Sequence, residues 1–173
     1  LIMTRIRSFF NISIITAASL SSQGFAQSSN SVTLSNDNIK LSLKIGMVGF
    51  GGNPDEKFKG IQDLGYDGME LNSPGGINKP ASLTASQKYN FPIHGVVNST
   101  HWRTPLSHES EEMREQAYQD LITAIDDSAL CGGHAVLIVP AVVKNGTTHQ
   151  QAWDRSIEVI SKAIPHAAQT GQH

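Results

Sequence analysis

A chain of 173 residues, 39% of them hydrophobic, holds enough apolar material for one folded domain. Its formal net charge of −2, with Lys and Arg scattered rather than massed, excludes a nucleic-acid surface and points to a small-molecule or protein partner. The single cysteine, Cys131, excludes an intrachain disulfide and a CxxC pair, and its place before Gly132-Gly133 at a helix end reads as a buried structural thiol.

The amino terminus reads as an export signal. Arg5 and Arg7 precede a mostly apolar run from Phe9 to Leu20, and Gly24-Phe25-Ala26 supplies the small residues for cleavage after Ala26. The run is too short for a stable membrane anchor. An exported protein, periplasmic or extracellular, is therefore expected. Leu1 and Ile2 stand before the first Met, as an upstream remnant or alternative start would leave them. The Ser- and Asn-rich residues 27–38 read as a linker, and the folded part is expected from Ile39 onward.

Strands and helices then alternate. Leu41 to Phe50 predicts a buried strand ending among Gly49, Gly51 and Gly52. Asn53 as N-cap, Pro54 at the first helical position and Asp55 and Glu56 in the first turn predict a helix with Phe58, Ile61 and Leu64 on one face and Gly65 as its stop. Tyr66 to Asn72 predicts a second strand in which Met69 and Leu71 share one face and Gly68 and Glu70 the other. A loop over Ser73 to Pro80 leads to a short helix from Ala81 to Tyr89, capped near Ser82 or Thr84.

The third strand, Ile93 to Thr100, carries polar groups and runs out into His101-Trp102-Arg103, the kind of strand end at which α/β proteins present a polar ligand. Ser107 is expected to cap a long helix with acidic first turns and a buried stripe of Met113, Ala117, Leu121, Ile125 and Ala129. Ala135 to Val139 predicts a fourth strand buried on both faces. From Thr148 a last helix is expected to bury Trp153, Ile157, Ile160, Ile164 and Ala168, with Pro165 kinking it or splitting off a final turn. Four strand-helix repeats imply a parallel sheet.

Three phrases in order, GYDGMEL (Gly65 to Leu71), PIHGVVNSTHW (Pro92 to Trp102) and HAVLIVP (His134 to Pro140), resemble the amino-terminal half of the sugar phosphate isomerase/epimerase family with the xylose isomerase-like TIM barrel, of the AP endonuclease 2-type superfamily. The residues from Ala152 to Gly171 resemble the helix before the fifth strand. The resemblance implies an α/β (β/α)8 barrel of which residues 39–173 hold about the first four units. It also implies sugar or sugar-phosphate isomerisation or epimerisation by metal-dependent proton transfer through an enediolate. The divalent metal (Mn, Mg, Co or Zn) and the acid-base Glu pair sit on later strands in that family, so neither catalytic residues nor metal ligands are expected in this chain. A complete barrel takes about 250 residues. The expectation is a piece of a longer product, inactive alone, with pairing of two copies as the alternative.

Within this frame the candidate substrate-binding residues are Glu70, His94, His101 and Trp102. Glu70 is placed to face into the barrel and contact substrate hydroxyls, and a structural carboxylate is the competing reading. His94 is expected on the face of Val96 and Asn98, either supporting the site or as a satisfied core histidine. His101 would donate a hydrogen bond and Trp102 would wall a sugar face, against simple loop packing. Arg103 is read as a solvated loop residue and Gly49 to Gly52 as a tight turn rather than an anion cradle, while His134, His149, His166 and His173 are read as surface or helix-end residues. The expected partner is a sugar or polyol, with a homo-oligomer as a further possibility. Two other functions fit the residues: a non-catalytic exported sugar-binding half barrel, and a hydrolase or lyase on the same fold.

Overall fold

The computed structural model describes residues 39–144 and 146–172. The expected export signal over 1–26, the linker over 27–38 and His173 lie outside the described residues. Four strands, β1 (Ser42–Lys44), β2 (Gly68–Ser73), β3 (Ile93–Asn98) and β4 (Ala135–Leu137), alternate with four helices, α1 (Pro54–Asp63), α2 (Lys79–Tyr89), α3 (Glu111–Leu130) and α4 (His149–Thr170). Every pairing is parallel and the sheet runs β1-β2-β3-β4, so α1, α2 and α3 each carry the chain from one strand to the adjacent one, and α4 follows β4. No described helix is long and apolar enough to cross a membrane.

Local chemistry accounts for the element ends. Asn53 is extended at the start of α1 and its Oδ1 accepts from the Glu56 N–H at 2.9 Å, while Gly65, at φ +87°, carries the chain out of the helix. β1 is shorter than the apolar run suggests, because the chain leaves the sheet for a 3₁₀ turn at Ile45–Met47. That turn brings Gly46 under the Asn72 side chain, whose Nδ2 would lie 2.9 Å from a Cβ there. α2 begins at Lys79 under Asn78, not at Ser82 or Thr84. Both hydroxyls instead bond back to carbonyls one turn earlier, Ser82 to Asn78 and Thr84 to Pro80.

α3 is capped by Ser110 rather than Ser107. The Ser107 hydroxyl accepts from the Val142 N–H at 2.9 Å and so ties down the segment after β4. α4 runs unbroken through Pro165 to Thr170, with no final turn split off. Pro165 and Ser161 are both exposed, so the carbonyl that loses its partner faces water.

Two apolar clusters hold the layers together. Met69 and Leu71 of β2 and Ile93 and Val96 of β3 pack with Phe58, Ile61, Ala85, Phe91 and Ala124, and the Phe58 ring meets Phe91 edge-on at 6.1 Å. Cys131 is buried in this cluster, and burial pushes its thiol pKa up, as suits a structural residue. The second cluster joins Leu106, Ala117, Leu121 and Ile125 to Val159 and Ala163. Of the predicted α3 stripe, Met113 and Ala129 are only half-buried.

The predicted face of α4 is not the buried one. Ala152, Ser156, Val159 and Ala163 face inward, whereas Trp153, Ile157 and Ile164 are 53%, 45% and 57% exposed, Ala168 is exposed and Ile160 is half-buried. Small residues let α4 approach α3 closely, which turns the bulky stripe to the side.

A buried polar knot fixes the carboxyl end of β2. Lys79 pairs with Asp127 at 3.2 Å and donates to the Gly75 carbonyl at 2.6 Å, and the Ser73 hydroxyl donates to Asp127 Oδ2 at 2.6 Å. The Ser73–Pro74 peptide beside it is cis.

Candidate functional site

The face of the sheet turned away from the helices carries the polar residues. Met69, Leu71 and Ser73 are fully buried on the helix side of β2, so alternation sends Gly68, Glu70 and Asn72 to the other face. Register places Ser42 beside Gly68 and Lys44 beside Glu70.

At β3 the register shifts between Met69 and Glu70. Met69 lies opposite Ile93 but Glu70 opposite Gly95, which leaves His94 as an additional residue. This bulge corrects the expected placement of His94. Val96 and Asn98 stay on the helix side, opposite Leu71 and Ser73, while His94 joins Glu70 on the other face. Its Cε1 would lie 3.5 Å from a Cβ at Gly68, on that same face.

Glu70, His94, Gly95, His134, Ala135 and Leu137 line an open cavity of about 340 Å³. His134, expected merely on the surface, is exposed and forms part of this wall. Among the described residues the Glu70 carboxylate makes no hydrogen bond or ion pair. Three buried polar atoms near it also lack partners among the described residues: Ser42 Oγ, Asn72 Oδ1 and His94 Nε2. An unpaired buried polar atom costs about 1–3 kcal/mol. Three on one side of a sheet mark a surface short of hydrogen-bonding groups.

The turn after β3 is built by its own polar residues. Asn98 Oδ1 accepts from the Thr100 N–H at 3.2 Å and from its hydroxyl at 2.9 Å, so Asn98 shapes the turn. His101 is 6% exposed and its Nδ1 accepts from the Val139 N–H at 3.4 Å. Burial pushes the His101 pKa down, and the positive charge of Lys44 adds to the shift. A neutral ring accepting at Nδ1 carries its proton on Nε2, which suits it to donate. Trp102 is 65% exposed and packs edge-on against His101 with ring centroids 5.2 Å apart. Glu70 and His94 thus share one cavity, while His101 and Trp102 form a separate pair at the end of β3.

Arg103 is exposed. The Gly49 to Gly52 turn is a closed structural turn: Lys57 Nζ donates to the Val48 and Phe50 carbonyls at 3.0 and 2.9 Å, and the Gly52 N–H donates to Glu56 Oε2 at 2.6 Å. His149 stacks on Trp153 and His166 pairs with Asp126 at 2.6 Å, both on helix surfaces. Lys44 and Asn72, which sequence reasoning passed over, sit on the same face as Glu70. The signal that could have found them is strand parity counted across all three strands.

Solved structures share this fold. The chain superimposes on a D-allulose 3-epimerase from Methylomonas sp. in complex with D-allulose, at 16% identity and TM-score 0.60, over 78% of this chain and 49% of that one. A 3-keto-D-glucoside 4-epimerase from E. coli gives 16% identity and TM-score 0.63 over 77% and 52%. A D-psicose 3-epimerase from Clostridium cellulolyticum H10, solved with D-tagatose, gives 12% and 0.60 over 78% and 50%. At these identities the likeness is one of fold, and the chain spans about half the length of the structures it matches. A search of the curated proteins gave no match. The model of one family, described as the xylose isomerase-like TIM barrel, matches residues 58–173. With four parallel β/α units in sequential order and a family match over most of its length, this chain belongs to the xylose isomerase-like TIM barrel family.

Proposed function

We propose that this chain forms the ligand-holding half of a sugar isomerase or epimerase, with Glu70, His94, His101 and Trp102 orienting the substrate and no proton-transfer residue among them. One observation carries the reading. Ser42 Oγ, Asn72 Oδ1 and His94 Nε2 are buried without partners among the described residues, on the face that also presents Glu70 and Lys44. A polyhydroxylated ligand supplies both donors and acceptors at short spacing, which answers such a deficit better than an apolar or a purely anionic one.

For the complete barrel the proposed chemistry is proton transfer at a carbon next to a carbonyl, assisted by a divalent metal. Among the described residues no three His, Cys, Asp or Glu side chains stand close enough to hold such an ion. In that barrel Glu70 and the neighbouring histidines would bind and orient the substrate. Export is proposed as well, resting on the residues before Gln27.

Ligand-observed NMR tests the binding role. D-allulose and D-tagatose should show saturable binding in the millimolar range, about −4 kcal/mol, as expected for a half-open site. Glu70→Gln should weaken it several-fold, and the 173-residue chain should not epimerise either sugar at C3, D-allulose to D-fructose or D-tagatose to D-sorbose. Binding that is absent, or indifferent to Glu70→Gln, would overturn the reading.

A further inference from the structure

Two segments at the carboxyl ends of β2 and β3 frame the candidate site, and one helix holds both from behind. The loop after β2, residues 74–78, folds back until a Cβ built on Gly76 would lie 3.0 Å from the Asn72 Cβ, so the path of the loop sets how Asn72 sits. The turn after β3 carries His101 and Trp102. Ser99 ties the two segments together: its N–H donates to the Ser73 carbonyl at 2.7 Å and its hydroxyl donates to the Pro74 carbonyl at 2.6 Å.

The ties to α3 are two carboxylates. Asp120 is 9% exposed; its Oδ2 accepts from the Thr104 hydroxyl at 3.0 Å and its Oδ1 from Gln116 Nε2 at 2.9 Å. Thr104 is itself buried and closes the turn that carries His101, its N–H donating to the Thr100 carbonyl at 2.8 Å. Two turns further along α3, Asp127 accepts from the Ser73 hydroxyl and pairs with Lys79. Lys79 also donates to the Gly75 and Ile77 carbonyls, at 2.6 and 3.4 Å, within the loop after β2. Residues so spaced on a helix project within about 20° of one another and stand about 10 Å apart along its axis. One face of α3 therefore grips each segment once.

We propose that, within the ligand-holding reading on which this rests, Asp120 and Asp127 are positioning residues of the sugar site, α3 acting as a strut that keeps the Asn72 side and the His101–Trp102 side at one separation. Both carboxylates lie on the helix side of the sheet and reach the site only through others, Asp120 through Thr104 and Asp127 through Ser73 and Lys79. Apolar side chains would fill this layer at no greater cost than buried charge. What the carboxylates add is a short, directed contact to each segment. A polyol is held at several points at once, so the separation of those points decides the fit. A side chain left free to move has to be ordered when the ligand binds, which weakens affinity.

D-allulose binding to the 173-residue chain, followed by ligand-observed NMR, tests this together with the indole N–H signals of its two tryptophans, Trp102 at the site and Trp153 on α4. Asp120→Ala should raise the dissociation constant at least ~3-fold and move the Trp102 signal while that of Trp153 stays in place. Asp120→Asn keeps an acceptor for Thr104, and Gln116 can turn its amide to accept from the new Nδ2, so both readouts should return to those of the parent. Lys79→Met with Asp127→Leu releases the other segment without stranding a buried charge, and should weaken binding by a similar factor. That double variant carries the test if Asp120→Ala does not fold. A folded variant of either kind that binds as the parent does, with Trp102 unmoved, would overturn the proposal and leave the ligand-holding reading standing. Equal movement of both indole signals would overturn it as well, because it reports general loosening. A parent chain that binds no D-allulose removes the reading and the positioning role with it.

Discussion

Gly95→Ala tests the packing of the bulged strand directly. Gly95 sits in β3 between Glu70 and Ala135, and a Cβ built on it would lie 2.3 Å from the Ala135 carbonyl oxygen and 3.1 Å from its carbon. A carbon and a carbonyl oxygen approach no closer than about 3.3 Å, so β4 must retreat by roughly 1 Å. The atoms in the way are backbone, and no rotamer change relieves them. A retreat of that size takes the adjoining bonds, including His134 N–H to the His94 carbonyl at 3.1 Å, beyond hydrogen-bonding distance. Overpacking of about 1–3 kcal/mol and one or two bonds at about 1 kcal/mol each give an expected loss of about 2–5 kcal/mol. Urea denaturation measures it. Gly65→Ala is the control: there φ is +87° and nothing lies within 4 Å of the added carbon, so only about 1–2 kcal/mol of backbone strain is expected. A Gly95→Ala protein within about 0.5 kcal/mol of the parent, or no less stable than Gly65→Ala, would refute the argument.

Two further outcomes follow from the buried charges and the buried imidazole. Asp127→Ala leaves the Lys79 ammonium, whose side chain is 8% exposed, without its counter-ion, and should cost about 3–5 kcal/mol in thermal or urea unfolding; the double replacement Lys79→Met with Asp127→Leu should recover most of the loss, and failure to recover would mean that Ser73 rather than the ion pair depends on Asp127. His101 has a folded pKa below its ordinary value of 6.5, so the unfolded chain binds the proton more readily. Stability should therefore be complete above about pH 6.5 and decline as the pH falls through that value, and His101→Asn should flatten this slope; an unchanged pH profile in the variant would remove His101 from the account.

Fold and element order were legible because their signals are local. Asn53-Pro54 and Gly65 announce the two ends of α1 through backbone requirements that no distant residue alters. The errors arose where a second partner decides. Ser107 has the chemistry of a cap, but its hydroxyl is claimed by Val142 and Ser110 takes over. The parity of β3, counted from Ile93, placed His94 with Val96 and Asn98; one additional residue reversed it, and a bulge leaves no mark in composition. On α4 periodicity correctly found the most apolar stripe, yet an apolar stripe is buried only if something lies against it. The candidate site was legible in part for the same reason: Glu70 follows from strand alternation alone, whereas the unpaired atoms of Ser42 and Asn72 emerge only when three strands are aligned.

The sequential strand order also bears on how the chain acquires its structure. Each strand finds its partner one β/α unit away, so no early step has to close a loop longer than a single crossover, and the entropy of closure grows only slowly with such lengths. Folding can then advance from the amino-terminal unit as the chain leaves the ribosome, each completed strand serving as the template for the next, as in repeat proteins whose modules touch only their neighbours. Every unit added in this way presents the same kind of unpaired edge as the one before, so each intermediate length exposes a parallel strand until the next unit covers it.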